Sequence, residues 1–513
     1  MRADPVTVAT TLRQQARARG DHPLLVCDGD RIGYAEADHR SAELARGLIA
    51  LGAGKGTHVG LLHPNGSDFV VGMLAAARIG AVVVPFSTFV TARELREQLV
   101  DSDVEILLSA RSFRSHNYVQ RLSEVIPRAD LDFGDRLFCA AVPQLRHAAF
   151  AHDAVRALAG SVDAALLRAS EDVVYDCDPL AIVYTSGSTS TPKGVVHTHS
   201  ALLGHQRNLN AIRGLTASDK LFCNSPFFWI GGFAFGLLAT LVAGSTLVCS
   251  NAIDAGATLD LLEAERPTMT NGFAAGIAHL AEHPSYAERD LSSMRRGNLY
   301  PIMAPDTRPA DPELRHNMLG MTEAGSVVLI SEDESDQPET RRGSFGKPAP
   351  GFETMIVDQD ASGVGELCIR GPYVMQGYYK RSREECFDAD GWFHTGDLVR
   401  TDDDGFVYFV GRLSAMVKTA GANVSAAEVE QAITRVTGAE AYVVGVPDTQ
   451  RGELVAAVVV QPDFDESAVR ERLKAELSSY KIPKRFVSLS RADVPLLSSG
   501  KVDTRRLRKL FDA

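Results

Sequence analysis

Residues 178–194 read DPLAIVYTSGSTSTPKG, and this stretch decides the fold. An apolar run, Asp178 to Tyr184 (DPLAIVY), reads as a buried strand. It passes directly into a loop of small hydroxyl residues and Gly187 that ends in Lys193. Backbone N–H groups and hydroxyls in such a loop can face phosphate oxygens, with the lysine as a point charge. The loop is not a Walker turn, because Pro192 precedes the lysine and Gly194 follows it, and it holds no G-x-G-x-x-G.

On the N-terminal side, helical and strand patterns alternate. The spacing predicts a helix over 41–51, a strand over 58–63 (HVGLLH), a helix over 69–79 and a strand over 81–85 (AVVVP). Alternation of this kind predicts βα units and largely parallel sheets. Over 351–411 the period falls to two in FETMIVD, GELCIRG and GFVYFVG, separated by Asp- and Gly-rich turns, which predicts antiparallel hairpins. After Arg412 come a helix (427–436), strands (441–446 and 453–460), a helix (466–477) and a strand (485–489). The expected class is therefore α/β: a large N-terminal domain of βα units over 1–411, with a small β-rich subdomain at about 345–411, and a small α+β C-terminal domain over 412–513.

One uncharged run, 226–248, has the length of a membrane span. Gly231-Gly232 and Ala243-Gly244-Ser245 interrupt it, and no Lys/Arg cluster flanks it, so it reads as a buried loop, helix and strand. A formal net charge of −12 over 513 residues excludes the basic surplus of a nucleic-acid binder. Seven scattered cysteines (Cys27, Cys139, Cys177, Cys223, Cys249, Cys368 and Cys386), an odd count without a C-x-x-C pair, are poor for a disulfide framework or a zinc site, and predict a reducing, cytoplasmic setting. The N-terminus has no pattern of basic residues followed by an apolar stretch, so no signal peptide is expected there.

The loop, with further motifs in the same order, resembles the ANL superfamily of adenylate-forming enzymes: acyl- and aryl-CoA synthetases, peptide-synthetase adenylation domains and firefly luciferase. The resemblance implies that Thr185, Ser186, Gly187, Ser188, Thr189 and Lys193 hold the pyrophosphate end of ATP. Gly320-Met-Thr-Glu323 resembles the motif whose threonine, here Thr322, contacts phosphate and whose glutamate, here Glu323, helps to hold Mg²⁺. Trp392-Phe-His-Thr-Gly-Asp397 resembles the motif whose aspartate accepts from both ribose hydroxyls, and Arg412 is the implied second ribose contact. Gly421 falls in the loop that approaches the pantetheine channel during thioester formation. In Pro495-Leu-Leu-Ser-Ser-Gly500-Lys501, Lys501 resembles the lysine that bridges the attacking carboxylate and the α-phosphate. The family exchanges Lys501 for the Gly421 loop by rotating a mobile C-terminal domain. The chain departs from the pattern at Leu319, where an aromatic residue stacks on adenine, over 300–317, which is shortened, and at the hinge position Ala415.

Pro226-Phe-Phe-Trp229-Ile-Gly-Gly232 resembles the segment lining the acyl pocket, with Trp229 as a gate or a core aromatic. Small residues at Gly272, Ala274, Ala275 and Gly276 predict a roomy apolar pocket for a long acyl chain or a bulky ring acid. Lys481, Lys484 and Arg485, with the tail over 501–509, are candidate contacts to the coenzyme A phosphates. The implied reaction is ATP- and Mg²⁺-dependent activation of a carboxylic acid to acyl-AMP, then transfer to coenzyme A. Loading of a separate carrier protein and a catalytically silent nucleotide-binding homologue stay open beside it. The expected partners are small molecules and, as assembly, a homodimer, with no nucleic acid and no integral membrane segment.

Overall fold

The computed structural model describes residues 6–126, 136–185, 192–413, 416–462, 464–495 and 502–512. They form two compact units: Met1–Thr88, Leu99–Tyr184 and Gly194–Gly411 in the first; Phe89–Gln98, Thr185–Lys193 and Arg412–Ala513 in the second.

Parallel pairing dominates the first unit, as the alternation of strands and helices predicts. One sheet runs Arg296–Gly297, Met269–Asn271, Lys220–Cys223, Thr246–Cys249, Pro23–Cys27 and Asp30–Gly33, parallel except for the last pair. The other runs Gly377–Tyr378, Lys193–Thr198, Pro179–Thr185, Val82–Pro85, His58–Leu62, Ile106–Ser109 and His147–Ala149. The helix Ser67–Arg78 packs on strands of both sheets. It is apolar on every side and almost wholly buried, the pattern of a helix without a solvent face. Its last residue, Arg78, is buried and paired: Nε donates to Glu171 Oε1 and Nη1 to Asp38 O and Ser41 Oγ.

The uncharged run folds as core. It forms a π-helix (Gly231–Leu238), an α-helix (Ala239–Ala243), a left-handed Gly244 at φ 72° and the strand Thr246–Cys249. No helix among the described residues is long and apolar enough to cross a membrane.

The period-two segment forms an antiparallel sheet in which Gly365–Arg370 pairs with Glu353–Val357 on one side and Phe393–Thr401 on the other; Val407–Arg412 completes it. Leu367, Ile369, Phe393, Val399 and Val407 point into its core. The shortened stretch near 300–314 holds three single-turn 3₁₀ helices.

In the second unit, Ala422–Ser425, Met416–Thr419, Gly452–Val459 and Ala441–Asp448 form a sheet, with Arg485–Ser488 parallel to Gly452–Val459. The helices Ala426–Thr437 and Glu466–Glu476 bury Val429, Ile433, Val469 and Leu473 in one core of this unit. Val444, Val446, Ala456, Val458, Leu507 and Phe511 make a second.

Candidate active site

The strand Pro179–Thr185, buried from Leu180 to Val183, delivers the chain to the hydroxyl-rich loop; Thr185 is its last residue and is partly exposed. Ser186, Gly187, Ser188 and Thr189 lie outside the described residues. Lys193 opens the next strand, Lys193–Thr198, which lies beside Pro179–Thr185. A Cβ at Gly194 would sit 2.7 Å from the Ile182 side chain and 3.1 Å from the Tyr184 ring, so glycine lets the chain return this closely. The Tyr184 hydroxyl donates to Asp101 Oδ2 at 2.5 Å, and burial followed by that carboxylate pushes its ionisation up.

Thr322 and Glu323 occupy a 3₁₀ turn (Thr322–Ala324) between the strands Leu319–Met321 and Ser326–Ile330. Two residues that the sequence reading missed fix this turn. His197, on the strand leaving the loop, donates from Nε2 to the Thr322 carbonyl at 2.7 Å. Burial pushes its imidazole down to about 4, so at neutral pH the ring is an uncharged donor. Tyr378 donates its hydroxyl to Glu323 Oε1 at 2.8 Å, and its own strand pairs Tyr378 with Val195. The Met375 N–H donates to the Glu323 carbonyl at 2.8 Å. Three segments remote in sequence thus meet at one turn, and one of them, through Tyr378, reaches its carboxylate. A partly exposed carboxylate steered by a hydroxyl, with the nearby imidazole turned to a carbonyl, fits a hard cation completed by phosphate and water oxygens. Leu319, where the family stacks an aromatic ring, is 3% exposed and packs with Met321, Val327 and Leu329.

Asp397 lies on the strand Phe393–Thr401 and is fully buried. The turn before it is held at both ends. Gly396, at φ 72°, donates its N–H to Glu366 Oε1 at 2.9 Å, and Thr395 donates its hydroxyl to the Leu367 carbonyl at 2.7 Å. The register shift between Glu366 and Cys368 falls opposite this turn. A buried carboxylate in a fixed frame can accept two hydrogen bonds from a vicinal diol. Arg412 ends the strand Val407–Arg412 and is partly exposed.

The two segments expected to meet the acid lie side by side: the Trp229 and Phe273 rings meet edge to face at 5.9 Å and 85°. Gly232 is small for a packing reason, since a Cβ there would meet the Pro226 carbonyl oxygen at 2.1 Å. Gly272, at φ 145°, backs onto Asn224, whose Oδ1 occupies the space of a Cβ. Asn224 holds Phe273 by accepting from its N–H (2.9 Å) and donating to its carbonyl (2.9 Å). The missing side chain at Gly272 therefore makes room for an amide clamp on Phe273.

In the second unit, Gly421 (φ 84°) forms with Ala420 (φ 48°) the tight turn between Met416–Thr419 and Ala422–Ser425. Ala415 and Lys501 lie outside the described residues. The reading of Lys481 as a phosphate contact is corrected. Its ammonium is buried, 2.7 Å from Glu94 Oε1 and 2.8 Å from Glu428 Oε1, so two internal carboxylates take up its charge. Those partners stand 387 and 53 residues away in the chain, beyond any local reading.

Comparison with known proteins shows the family. A family described as AMP-binding enzyme matches residues 12–379, and one described as AMP-binding enzyme C-terminal domain matches 428–501. The chain is 32% identical to a 3-[(3aS,4S,7aS)-7a-methyl-1,5-dioxo-octahydro-1H-inden-4-yl]propanoyl:CoA ligase of Mycobacterium tuberculosis, covering 98% of this chain and 99% of that one. It is also 32% identical to a feruloyl-CoA synthase of an Amycolatopsis species, over 94% of each. Among solved structures, o-succinylbenzoate CoA synthetase of Bacillus subtilis shares the fold with a TM-score of 0.77 at 24% identity, over 98% of each chain. A Mycobacterium tuberculosis fatty acyl CoA synthetase gives 0.67 at 26%, again over 98% of each. The chain belongs to the AMP-binding enzyme family and is an acid–thiol ligase of its ATP-, Mg²⁺- and coenzyme A-using branch.

Proposed function

We propose that the acid is a bulky ring acid or other hydrophobic acid, and that the residues described above divide the work in two steps. The observation that carries the reading is the convergence of His197, Tyr378 and the Thr322–Glu323 turn beside the strand that leaves the hydroxyl-rich loop. In the first step the acid's carboxylate oxygen attacks the α-phosphorus of ATP, forming an acyl-phosphate anhydride and releasing pyrophosphate. Two anions must meet, so the chain supplies positive charge and fixed donors. Lys193 and the loop that includes Ser186, Gly187, Ser188 and Thr189 take the phosphates, and Lys501 steers the carboxylate and the α-phosphate. Asp397 and Arg412 hold the ribose. Glu323 would hold Mg²⁺, which spreads the phosphate charge. Each well-placed donor is worth roughly 3–4 kcal/mol in such a step. In the second step the coenzyme A thiol loses its proton, its sulfur attacks the acyl carbon and AMP leaves, with Gly421 on the thiol side and Ala415 at the hinge.

The Trp229–Phe273 edge contact and the amide clamp beneath Phe273 support an aromatic-lined acid site, as do relatives whose names specify feruloyl and bicyclic propanoyl acids. Acid-dependent exchange of labelled pyrophosphate into ATP, run across acetate, medium-chain, long-chain and aromatic acids, tests this choice. Ring and long-chain acids should lead by at least an order of magnitude; acetate in the lead refutes it. Mass analysis of products with free coenzyme A tests the acceptor, because exchange without thioester would point to a separate carrier protein. Lys501→Ala should lose exchange yet still form thioester from supplied acyl-adenylate, and equal loss of both steps would refute the division of labour. The scattered, odd-numbered cysteines without a C-x-x-C pair support a reducing, cytoplasmic setting. The homodimer carried over from the sequence reading is tested by light scattering, where a monomer mass would remove it.

A further inference from the structure

Glu366, Cys368 and His394 form a cluster with no role in the chemistry above. Glu366 and Cys368 are two apart on the strand Gly365–Arg370, and Cys368 is the register partner of His394 on Phe393–Thr401. Cys368 Sγ lies 3.5 Å from His394 Nδ1, and that nitrogen lies 2.9 Å from Glu366 Oε2. One sulfur, one nitrogen and one oxygen donor all fall within 4.8 Å of one another. Around a tetrahedral ion with bonds of 2.0–2.3 Å, neighbouring donors stand about 3.3–3.7 Å apart, so small side-chain shifts close the set.

A plain ion pair between His394 and Glu366 accounts for two of the three groups. It does not account for the sulfur, nor for the Asp388 carboxylate fixed behind the histidine. Glu366 is oriented from behind, since its other oxygen accepts the Gly396 N–H at 2.9 Å. His394 has a carboxylate on its far side: Nε2 lies 3.6 Å from Asp388 Oδ2. Asp388 is itself fixed, because its Oδ1 accepts the N–H groups of Asp390 and Trp392. A carboxylate behind the second nitrogen is the usual support of a metal-ligating histidine. Cys368 is buried and His394 is 45% exposed, so an ion entering beside the imidazole would keep a position for water.

We propose that Glu366, Cys368 and His394 bind a thiophilic divalent cation of the zinc class, with water as fourth ligand and Asp388 as support of the histidine. Binding needs the Cys368 thiolate and a His394 nitrogen free of its proton, so uptake of the ion releases the thiol proton to solvent. The mixed N, O, S set selects borderline metals over Mg²⁺, which prefers oxygen alone. Through Glu366 the site reaches the Gly396 N–H, one residue before Asp397, so a bound ion stiffens that turn. The proposal does not depend on what Asp397 binds.

The test uses the full chain stripped with a chelator and titrated with Co²⁺. The expected result is thiolate-to-Co²⁺ charge-transfer absorption that saturates at one equivalent. Zn²⁺ should bleach it, and Mg²⁺ in large excess should leave it in place. Cys368→Ser should abolish the band, Cys386→Ser should keep it, and His394→Gln and Glu366→Gln should each weaken Co²⁺ binding at least tenfold. Should Cys368→Ser fail to fold, the His394 and Glu366 variants decide alone. No band at one equivalent, a band that survives Cys368→Ser, or one indifferent to both other variants overturns the site. The readout is optical and needs no nucleotide, so its failure leaves the ligase reading intact.

Discussion

Replacing Lys481 by Met removes one charge and little volume from the interior of the second unit. In the native chain the ammonium sits between Glu94 and Glu428, whose side chains are 14% and 12% exposed. Glu94 also accepts from the Ser478 hydroxyl at 2.6 Å and the Thr91 N–H at 2.8 Å. Burial pushes both carboxyls up. At Glu94 the ammonium and these donors outweigh burial and hold the carboxyl below its ordinary range, whereas Glu428 stays raised. Without Lys481 two buried carboxylates face each other uncompensated, and breaking a buried pair costs about 3–5 kcal/mol. Each can escape by taking up a proton, at a cost that falls with pH: about 3.5 kcal/mol per carboxyl at pH 7 and about 1 kcal/mol at pH 5.

The sign follows from linkage. In the variant both carboxyls have raised folded values, so stability relative to the unfolded chain is lost as pH rises through them. In the native chain Glu94 has a lowered value, so its contribution is present above the ordinary carboxylate range and lost as pH falls. Both trends make the gap between the two proteins widest at neutral pH. Denaturant unfolding, with hydrogen exchange on the strand Ala441–Asp448 as a local probe, should show a penalty of about 3–5 kcal/mol at pH 7, shrinking to about 1–2 kcal/mol at pH 5. Adding Glu94→Gln and Glu428→Gln to Lys481→Met should recover at least half of it. A penalty under about 1 kcal/mol at pH 7, or one unchanged between the two pH values, refutes the account. A stable Lys481→Met chain with a raised KM for coenzyme A would instead restore the phosphate-contact reading.

Three further outcomes are expected. His197, His199 and His205 are buried and pushed down to about 4, so the unfolded chain binds more protons than the folded one between roughly pH 6.5 and pH 4. Stability should fall as pH drops through that window, by up to about 4 kcal/mol per pH unit if all three act together; a flat profile there would show that these rings are not buried neutral. Tyr378→Phe deletes the hydroxyl that steers Glu323, a hydrogen bond to a charged group worth about 1.5–3 kcal/mol. The Mg²⁺ concentration for half-maximal pyrophosphate exchange should rise roughly tenfold or more, and an unchanged Mg²⁺ dependence counts against Glu323 as the ion's ligand. Gly272→Ala drives a methyl group to 1.7 Å from Asn224 Oδ1 at a φ of 145°. It should cost about 1–3 kcal/mol by thermal unfolding and shift acid preference through Phe273; native stability with unchanged preference would separate that clamp from the acid site.

Much of the fold was legible because its signals are local. The strand before the hydroxyl-rich loop, the antiparallel block and the order of elements after Arg412 each appear as periodicity within a short window. Boundaries were less so. The helix read from Ser41 begins at Tyr34, behind a Gly33 that offers no side-chain cap. Its start is set by tertiary contacts instead, since the buried Tyr34 hydroxyl lies near the carbonyls of Thr240 (3.1 Å) and Ser245 (2.8 Å), more than two hundred residues on. The uncharged run was readable as core, but its π-helical first half was not, because hydrophobicity alone does not distinguish hydrogen-bond patterns.

At the site, legibility follows a different line. Residues expected to meet substrate are confined to one chemistry: a carboxylate for a diol or a cation, a lysine for phosphate, glycine where backbones approach. Such demands leave strings that a sequence displays. The residues that aim them have only to supply a donor from the right place, and place is a tertiary property. His197 sits in an ordinary strand and Tyr378 in a short one, yet the first fixes the Thr322 carbonyl and the second Glu323 itself. Lys481 is the converse case, where a basic cluster looked like a binding surface because its nearest carboxylate comes from another stretch of chain. Spacing therefore points to the groups expected to act on substrate, while the groups that position them become visible only when the strand leaving the hydroxyl-rich loop is seen paired with Gly377–Tyr378.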